Sequence, residues 1–274
     1  MAAGGKRDAS MLVVTGQQEV GKTWLTLKFL IEEYIKNNPA TGSKARKALI
    51  FDTNFEFPQF TKLAVKDIKR FAMQTPIEIR KIVPLNKDNT ISSFKEKTEI
   101  LKKILANFVK GLILLEDINT YLIGAKEEDI IAALVSLRHR ETDVIIHYQT
   151  LAKVPTLMFE NASAIRMHKQ QESIDRYKDR IPYYEIIKIG EYLVNAQYYL
   201  GNIYFHCYVS SKKSYIRGEF KKEDLREACQ KYVERNPPEL TSLIKTYKEK
   251  AEISNPRAEA IKELTDELMN KYNR

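Results

Sequence analysis

Apolar residues recur along the first 170 positions in two alternating patterns, short continuous runs and longer stretches with helical spacing. The continuous runs predict buried strands at residues 11–15, 48–52, 111–115, 143–149 and 164–168. Apolar positions three and four residues apart predict helices at 24–35, 92–110 and 127–140, with a short helix beginning near Pro155. Residues 68–72 and 78–85 resemble short strands. This alternation predicts an α/β fold with a mostly parallel central sheet.

The pattern changes after residue 170, where the chain becomes more charged and richer in tyrosine. Residues 171–198 have helical spacing, and residues 203–210 and 215–217 predict a β-hairpin. A further helix is predicted at 221–235, where Asn236-Pro237-Pro238 ends it. Two polar helices follow. We therefore expect a core with a C-terminal helical and hairpin appendage.

Residues 16–23 read GQQEVGKT and match the phosphate-loop pattern G-x-x-x-x-G-K-[ST] at every fixed position. A predicted strand precedes this segment and a predicted helix follows it, as the motif requires. Gly16 and Gly21 allow the backbone to curl so that its N–H groups face a phosphate at the positive end of the helix. Lys22 is expected to reach the β- and γ-phosphates, and Thr23 to bind Mg²⁺. The chain is therefore predicted to bind ATP with Mg²⁺. The residues expected to contact the nucleotide are Gly16, Gln17, Gln18, Glu19, Val20, Gly21, Lys22, Thr23 and Trp24.

Polar side chains follow several predicted strands at the edge where a parallel sheet binds its ligands. Glu116 and Asp117 end the run LILLED, which has the form of a Walker B element. By position, Glu116 would hold Mg²⁺ through a water molecule and Asp117 would polarise the attacking water. The usual order is Asp then Glu, so the roles of the two acids stay open.

Gln149 closes the strand that should lie beside the phosphate-loop strand. A neutral amide there can hold both a γ-phosphate oxygen and a water molecule. The alternative is a surface glutamine at a strand exit.

Two arginines, Arg138 and Arg140, end the helix before that strand. Either one is a candidate arginine finger toward the nucleotide of a neighbouring subunit, because a guanidinium directs several donors at phosphate oxygens. Cations at the end of a helix also complement its dipole, and that alternative explains both residues equally well.

The charge balance is basic. Lys and Arg number 45 against 36 Asp and Glu, which gives a net charge of +9 over 274 residues. An acidic partner such as nucleic acid is compatible with this charge, and so is a solvated lysine-rich surface.

Cysteine content and hydropathy indicate the compartment. Cys207 and Cys229 are the only cysteines and lack metal-binding spacing, which is typical of inert thiols in a reducing environment. No stretch of the sequence approaches the roughly 18 consecutive apolar residues of a transmembrane helix. Residues 1–10 are short, polar and basic, unlike a signal peptide. We therefore expect a cytoplasmic protein with no direct membrane span.

Four segments together resemble the FtsK/HerA superfamily of DNA-pumping ATPases. They are GQQEVGKT at 16–23, FDTNFEFPQF at 51–60, LILLED at 112–117 and LRHRETDVIIHYQTL at 137–151. The Arg138-His139 pair, Asp143 and Gln149 look most like the branch that holds viral genome-packaging ATPases and the Zot-like phage assembly proteins. Because Zot-like proteins usually carry a membrane-spanning segment, a compact packaging ATPase fits this chain better.

The resemblance implies a RecA-like P-loop ATPase core over residues 1–170. A continuation of the core or a small appendage with a β-hairpin would occupy 171–235, and a helical C-terminal tail 236–274. The resemblance also implies a hexameric ring with nucleotide bound between subunits. It makes Glu56 an alternative water-activating acid.

The resulting hypothesis is an ATP-hydrolysing motor that moves double-stranded viral DNA into a capsid. A capsid or portal protein would be a further partner, and the motor would lie in the host cytoplasm with transient attachment to the capsid. The candidate DNA contacts are Lys81, Lys87, Lys212 and Lys213, although a solvated surface lysine is the favoured explanation for each of them. A small-molecule phosphotransferase and a nucleotide-dependent assembly or partition switch remain as alternatives.

Overall fold

The computed structural model describes residues 9–74, 76–86, 88–118, 127–210, 215–249 and 253–273, with the side chains of Glu127, Arg138 and Pro237 left out. The chain divides into two compact units. Unit 1 contains Met1–Val14, Gly21–Gln149 and Lys153–Ser163, and unit 2 contains Thr15–Val20, Thr150–Ala152 and Ala164–Arg274. The domain boundaries predicted near residues 170 and 235 stay predictions.

Unit 1 contains a parallel sheet. Its strands are β1 (Met11–Thr15, of which the first four residues belong to this unit), β2 (Ala48–Phe51), β3 (Thr61–Lys62), β4 (Ile79–Ile82), β5 (Leu112–Leu115) and β6 (Asp143–Tyr148). They lie in the order β3-β4-β2-β5-β6-β1. The pairs β3–β4, β4–β2, β2–β5 and β5–β6 are all parallel. The predicted α/β fold with a mostly parallel sheet is thus confirmed.

The central strands are buried on both faces, as continuous apolar runs predict. All four side chains of β2 and of β5 are buried, and so are all six of β6. In the register between β5 and β6, Leu115 lies opposite Ile146. The residues that follow β5 therefore emerge beside the end of β6.

The helices of unit 1 are α1 (Lys22–Phe29), α2 (Ile68–Met73), α3 (Phe94–Asn107), α4 (Glu127–Ser136) and α5 (Thr156–Asn161). A π-helical turn, Leu30–Tyr34, extends α1, and a 3-10 turn, Leu137–Arg140, follows α4. Helix α3 begins at Ser93, whose hydroxyl accepts from Glu96 N while the Glu96 carboxylate accepts from Ser93 N. This reciprocal capping box explains why the helix begins where the sequence predicted.

The strand predicted at 68–72 is wrong, because these residues form helix α2. Ile68 and Phe71 are buried while Lys69 and Arg70 are exposed, which is the spacing of one helical face. The Lys47 amine donates to the carbonyls of Phe71 (2.6 Å) and Ala72 (3.2 Å) at the end of the helix. A distant residue therefore completes this short helix.

Unit 2 contains strands β7 (Ala164–Met167), β8 (Cys207–Ser210) and β9 (Tyr215–Gly218). Both β7–β8 and β8–β9 are antiparallel, so the predicted hairpin is confirmed. Its turn, which carries Lys212 and Lys213, lies outside the described residues. Burial raises the pKa of the Cys207 and Cys229 thiols to about 12, so both are protonated thiols at neutral pH.

The helices of unit 2 are α6 (Tyr184–Tyr199), α7 (Lys222–Arg235), α8 (Pro237–Lys248) and α9 (Pro256–Tyr272). Helix α9 buries Leu268, Met269 and Tyr272, and the Lys271 amine binds the Glu185 carboxylate of α6 at 2.8 Å. Among the described residues, no helix combines the length and the apolar character needed to cross a membrane.

Candidate active site

The backbone of the phosphate loop adopts conformations that require glycine at its two fixed glycine positions. Gly16 and Gly21 have φ angles of +151° and +81°, a region that side-chain-bearing residues rarely adopt. A Cβ atom on Gly16 would come within 2.7 Å of the His168 Cβ atom. Glu19 also lies in the left-handed region, with φ +63°. Gln17 N donates to Lys169 O at 2.9 Å. The fixed glycines are therefore explained by backbone geometry.

The side chains of the loop differ in exposure. Val20 is buried, whereas Gln18 and Glu19 are exposed. Lys22 and Thr23 are half-buried at the start of α1. Trp24 is 65% exposed, with the Lys28 amine 5.5 Å from its ring centroid.

Thr23 and Glu116 are in direct contact. The Thr23 hydroxyl donates to Glu116 Oε1 at 3.1 Å, and the buried His147 ring lies with Nδ1 2.9 Å from Glu116 Oε2. Burial by itself raises the pKa of the Glu116 carboxyl. The His147 ring, the Thr23 hydroxyl and the Lys22 charge outweigh that effect and lower the pKa below its usual value. Glu116 is therefore an ionised carboxylate at neutral pH, held on both oxygens.

Asp117 lies in a second group, which is bound by amides. The Gln149 amide donates to Asp117 Oδ2 at 3.0 Å. The Asn54 amide lies 3.4 Å from Asp117 Oδ2 and 3.4 Å from Glu56 Oε1. The structure thus brings together Glu56, Asp117 and Gln149 from three different strand ends, as the sequence predicted for this edge of the sheet.

Glu56 has an unusual environment for an exposed carboxyl. Desolvation first, and then the negative charge of Glu116, raise its pKa above the usual value for glutamate. The charges of Asp117 and Asp52 act in the same direction, and the Asn54 amide opposes them. A carboxylate with a raised pKa is a better proton acceptor than an ordinary one.

A buried ion pair shapes the turn that carries Glu56. Asp52, which is fully buried, accepts from Glu56 N at 2.9 Å and from the Lys81 amine at 3.0 Å. Lys81 is 5% exposed. The prediction that Lys81 contacts DNA is therefore wrong, because its charge is used inside the protein. The other candidates Lys87, Lys212 and Lys213 lie outside the described residues.

The structure describes the side chain of only one of the two candidate finger arginines, Arg140. The Arg140 guanidinium donates to Leu105 O at 2.5 Å and to Ala106 O at 2.7 Å, which are carbonyls in the last turn of α3. In this chain Arg140 thus completes the end of a helix. The side chain of Arg138 is outside the described part of the structure. The finger role stays a prediction for both.

Sequence reasoning missed three polar residues of this site, His147, Thr26 and Asn54. One signal was available for His147, because residues 147 and 149 lie two apart in the predicted strand 143–149, where they would face the same side. Thr26 lies one helical turn after Lys22, and its hydroxyl donates to Lys22 O at 3.1 Å. Asn54 carries no signal beyond its position after β2.

Comparisons with known proteins identify similar structures but no matching sequence family. No protein-family model matches the chain, and no curated protein matches it. The structure is similar to the genome-packaging NTPase B204 from Sulfolobus turreted icosahedral virus 2. In the complex with AMP, the match has a TM-score of 0.51 and 15% identity and covers 78% of this chain and 98% of B204. In the complex with AMPPCP it has a TM-score of 0.51 and 15% identity and covers 77% and 97%.

At this level of identity the similarity shows the fold alone. The chain therefore has the fold of a viral genome-packaging NTPase, and the resemblance indicated by its sequence motifs is confirmed at that level.

Proposed function

We propose that the protein is an ATPase that translocates double-stranded DNA and packages a viral genome into a capsid. The observation that carries this proposal is the convergence at one sheet edge of Thr23 and Glu116 with Gln149, Asp117 and Glu56. The first two are the oxygen donors of a phosphate-loop magnesium site, and the other three can orient and deprotonate a water molecule.

The donor set fits magnesium. Thr23 Oγ1 and Glu116 Oε1 are hard oxygen atoms 3.1 Å apart, at the start of the helix that the phosphate loop leads into. Among the described residues no group of three or more His, Cys, Asp or Glu side chains is arranged to hold a metal ion alone. Thr23 would bind Mg²⁺ directly and Glu116 through a water molecule, with phosphate oxygens completing the shell. The ion would neutralise charge that develops on the phosphates.

The residues around that site have distinct roles in the proposed reaction. Lys22 neutralises the β- and γ-phosphates, and the Gln149 amide holds the attacking water against the γ-phosphate. Glu56 is the proposed proton acceptor because its pKa is raised and its side chain is exposed. Asp117 accepts an amide hydrogen bond from Gln149 and thereby orients it.

Support for a DNA motor comes from the fold that the chain shares with a genome-packaging NTPase and from its net charge of +9. We propose a hexameric ring with nucleotide bound between subunits, contacts to the DNA backbone and to a capsid or portal protein, and a location in the host cytoplasm with transient attachment to the capsid. Sequence-independent contacts with phosphates would suit such a motor.

The test is ATP turnover with and without double-stranded DNA. We expect DNA of any sequence to stimulate turnover, and the stimulation to weaken steeply with salt because phosphate contacts release counterions. The variant Lys22→Ala should bind DNA and hydrolyse no ATP. Turnover that ignores DNA while phosphate is transferred to a small metabolite would favour a phosphotransferase. Nucleotide-dependent assembly without DNA stimulation would favour a switch, and either result would overturn the motor.

A further inference from the structure

His147 is a fully buried polar residue next to the proposed magnesium site. It lies in β6, two residues before Gln149, which follows the end of the strand. Because Leu115 lies opposite Ile146, the next residues, Glu116 and His147, are also neighbours across the two strands. Glu116 therefore has His147 of β6 as a partner, and Asp117 has Gln149, the residue that follows β6.

The hydrogen bonds determine which nitrogen of His147 carries a proton. Nδ1 lies 2.9 Å from a carboxylate oxygen that only accepts, so Nδ1 must donate. Nε2 lies 2.9 Å from the Thr26 hydroxyl, whose single proton has both Nε2 and Lys22 O within reach. If the hydroxyl donates to Nε2, the ring is neutral; if it donates to Lys22 O, Nε2 can donate in turn. The Nδ1–H bond to Glu116 is common to both arrangements.

We propose that His147 is a positioning residue that holds the Glu116 carboxylate against Thr23, so that the oxygen pair for magnesium exists before the nucleotide arrives. This inference rests on the proposed function of the site. Glu116 is 5% exposed and lies in the field of a second carboxylate, Glu56. Without the Nδ1–H donor on Oε2, the Glu116 carboxylate would lose the contact that fixes its rotation and would turn away from Thr23.

A purely packing role for His147 makes a different prediction, and two substitutions separate the alternatives. His147→Asn places an amide N–H close to the position of Nδ1, within reach of Glu116. His147→Gln is closer to histidine in length but places its amide at the far end, near Thr26. If the role is positioning, Asn replaces histidine and Gln does not. If the role is packing, the shorter Asn leaves the larger cavity and is the worse substitute.

The experiment measures magnesium dependence rather than turnover. The fluorescent nucleotide mant-ADP is titrated with the protein in chelator and at increasing MgCl₂, with energy transfer from Trp24, the only tryptophan. We expect wild type and His147→Asn to require similar magnesium concentrations. For His147→Gln the concentration at half effect should rise roughly 10- to 100-fold, as for other residues that orient a metal ligand, while affinity in chelator stays unchanged.

Several outcomes would overturn the assignment. They are equal magnesium dependence in wild type and His147→Gln, an equal shift in both variants, or a larger shift in His147→Asn. Wild-type protein that fails to bind mant-ADP at any magnesium concentration would instead overturn the proposed function, and the assignment with it. The two failures are therefore distinguishable.

A measurement on the wild type covers the case in which neither variant folds. In protein labelled with ¹⁵N-histidine, nitrogen shifts report which ring nitrogen is protonated, and His139, His168 and His206 can be assigned by substitution. We expect a proton on Nδ1 of His147. A neutral ring protonated only at Nε2 would contradict the proposal.

Discussion

Glu116 and Asp117, the two acids that follow β5, are adjacent in sequence and lie in different environments. Glu116 is buried, and each of its oxygens has a partner within the chain, Thr23 on one side and His147 on the other. Asp117 is half-buried and belongs to a rim that also contains the exposed Glu56 and Asn54. We call the first group the inner site and the second, with Gln149, the outer rim.

Glu116 of the inner site and Glu56 of the outer rim also differ in the direction in which their pKa values are shifted. Two donors and the Lys22 charge lower the pKa of Glu116, which suits a group that must stay ionised and fixed beside a metal. Desolvation and neighbouring negative charges raise the pKa of Glu56, which suits a group that must accept a proton and release it. The contrast supports the proposal that the inner site binds the metal and that the outer rim activates water.

The largest expected effect is on the outer rim. Glu56→Gln removes the proposed proton acceptor while keeping its shape, so kcat should fall roughly 10²- to 10⁴-fold, the usual contribution of a general base. Binding of mant-ADP with magnesium should be unchanged. The wild-type rate should fall as pH decreases through the raised pKa of Glu56, because the acceptor must be deprotonated, and that acid limb should disappear in the variant.

The control for this prediction is Glu32→Gln, which neutralises an exposed glutamate of the same unit away from the rim. It should keep wild-type turnover. If Glu56→Gln also hydrolysed ATP normally while Asp117→Asn did not, the proton acceptor would be Asp117, the carboxylate that binds the Gln149 amide.

A second substitution tests the ion pair beneath the rim. Lys81→Met leaves Asp52 buried without its cation, so the free energy of unfolding should fall by roughly 3–5 kcal/mol. Urea denaturation measures this loss, and adding Asp52→Asn should recover most of it. In the folded variant, DNA stimulation of turnover should persist, because Lys81 is buried. Loss of DNA stimulation without loss of stability would instead place Lys81 at a DNA contact.

Most strands and helices could be predicted because their signals are local. The run at 11–15 coincides with β1, and Ser93 with Glu96 marks the start of α3. Helix α2 could not be predicted, because six residues are too few for a clear period and its end is completed by Lys47, which is 24 residues from Phe71 in sequence.

In the candidate site, too, local signals could be read from the sequence, whereas contacts between distant residues could not. Glu116, Asp117 and Gln149 could be placed together because parallel strands end at one edge of a sheet. Lys81 suggested a solvated cation because its partner Asp52 is 29 residues away. A histidine within an apolar run is usually a core residue, and only the structure places His147 beside Glu116, 31 residues earlier. The sequence thus contains these buried polar groups but does not show which distant residue each of them pairs with.

The smallest expected effect is that of substituting Arg140. This substitution tests whether an arginine that binds carbonyls of its own chain also acts as a finger toward a neighbouring subunit. Arg140→Ala removes the donors to Leu105 O and Ala106 O, so unfolding free energy should fall by ~1 kcal/mol, with little change in kcat. An arginine finger would behave differently, with a loss of roughly 10³-fold or more in kcat and recovery of activity on mixing with Lys22→Ala subunits. Recovery with Arg140→Ala would mean that Arg140 leaves α3 to reach the outer rim of a neighbour. Recovery with Arg138→Ala alone would keep Arg140 as a helix cap and give the finger to Arg138.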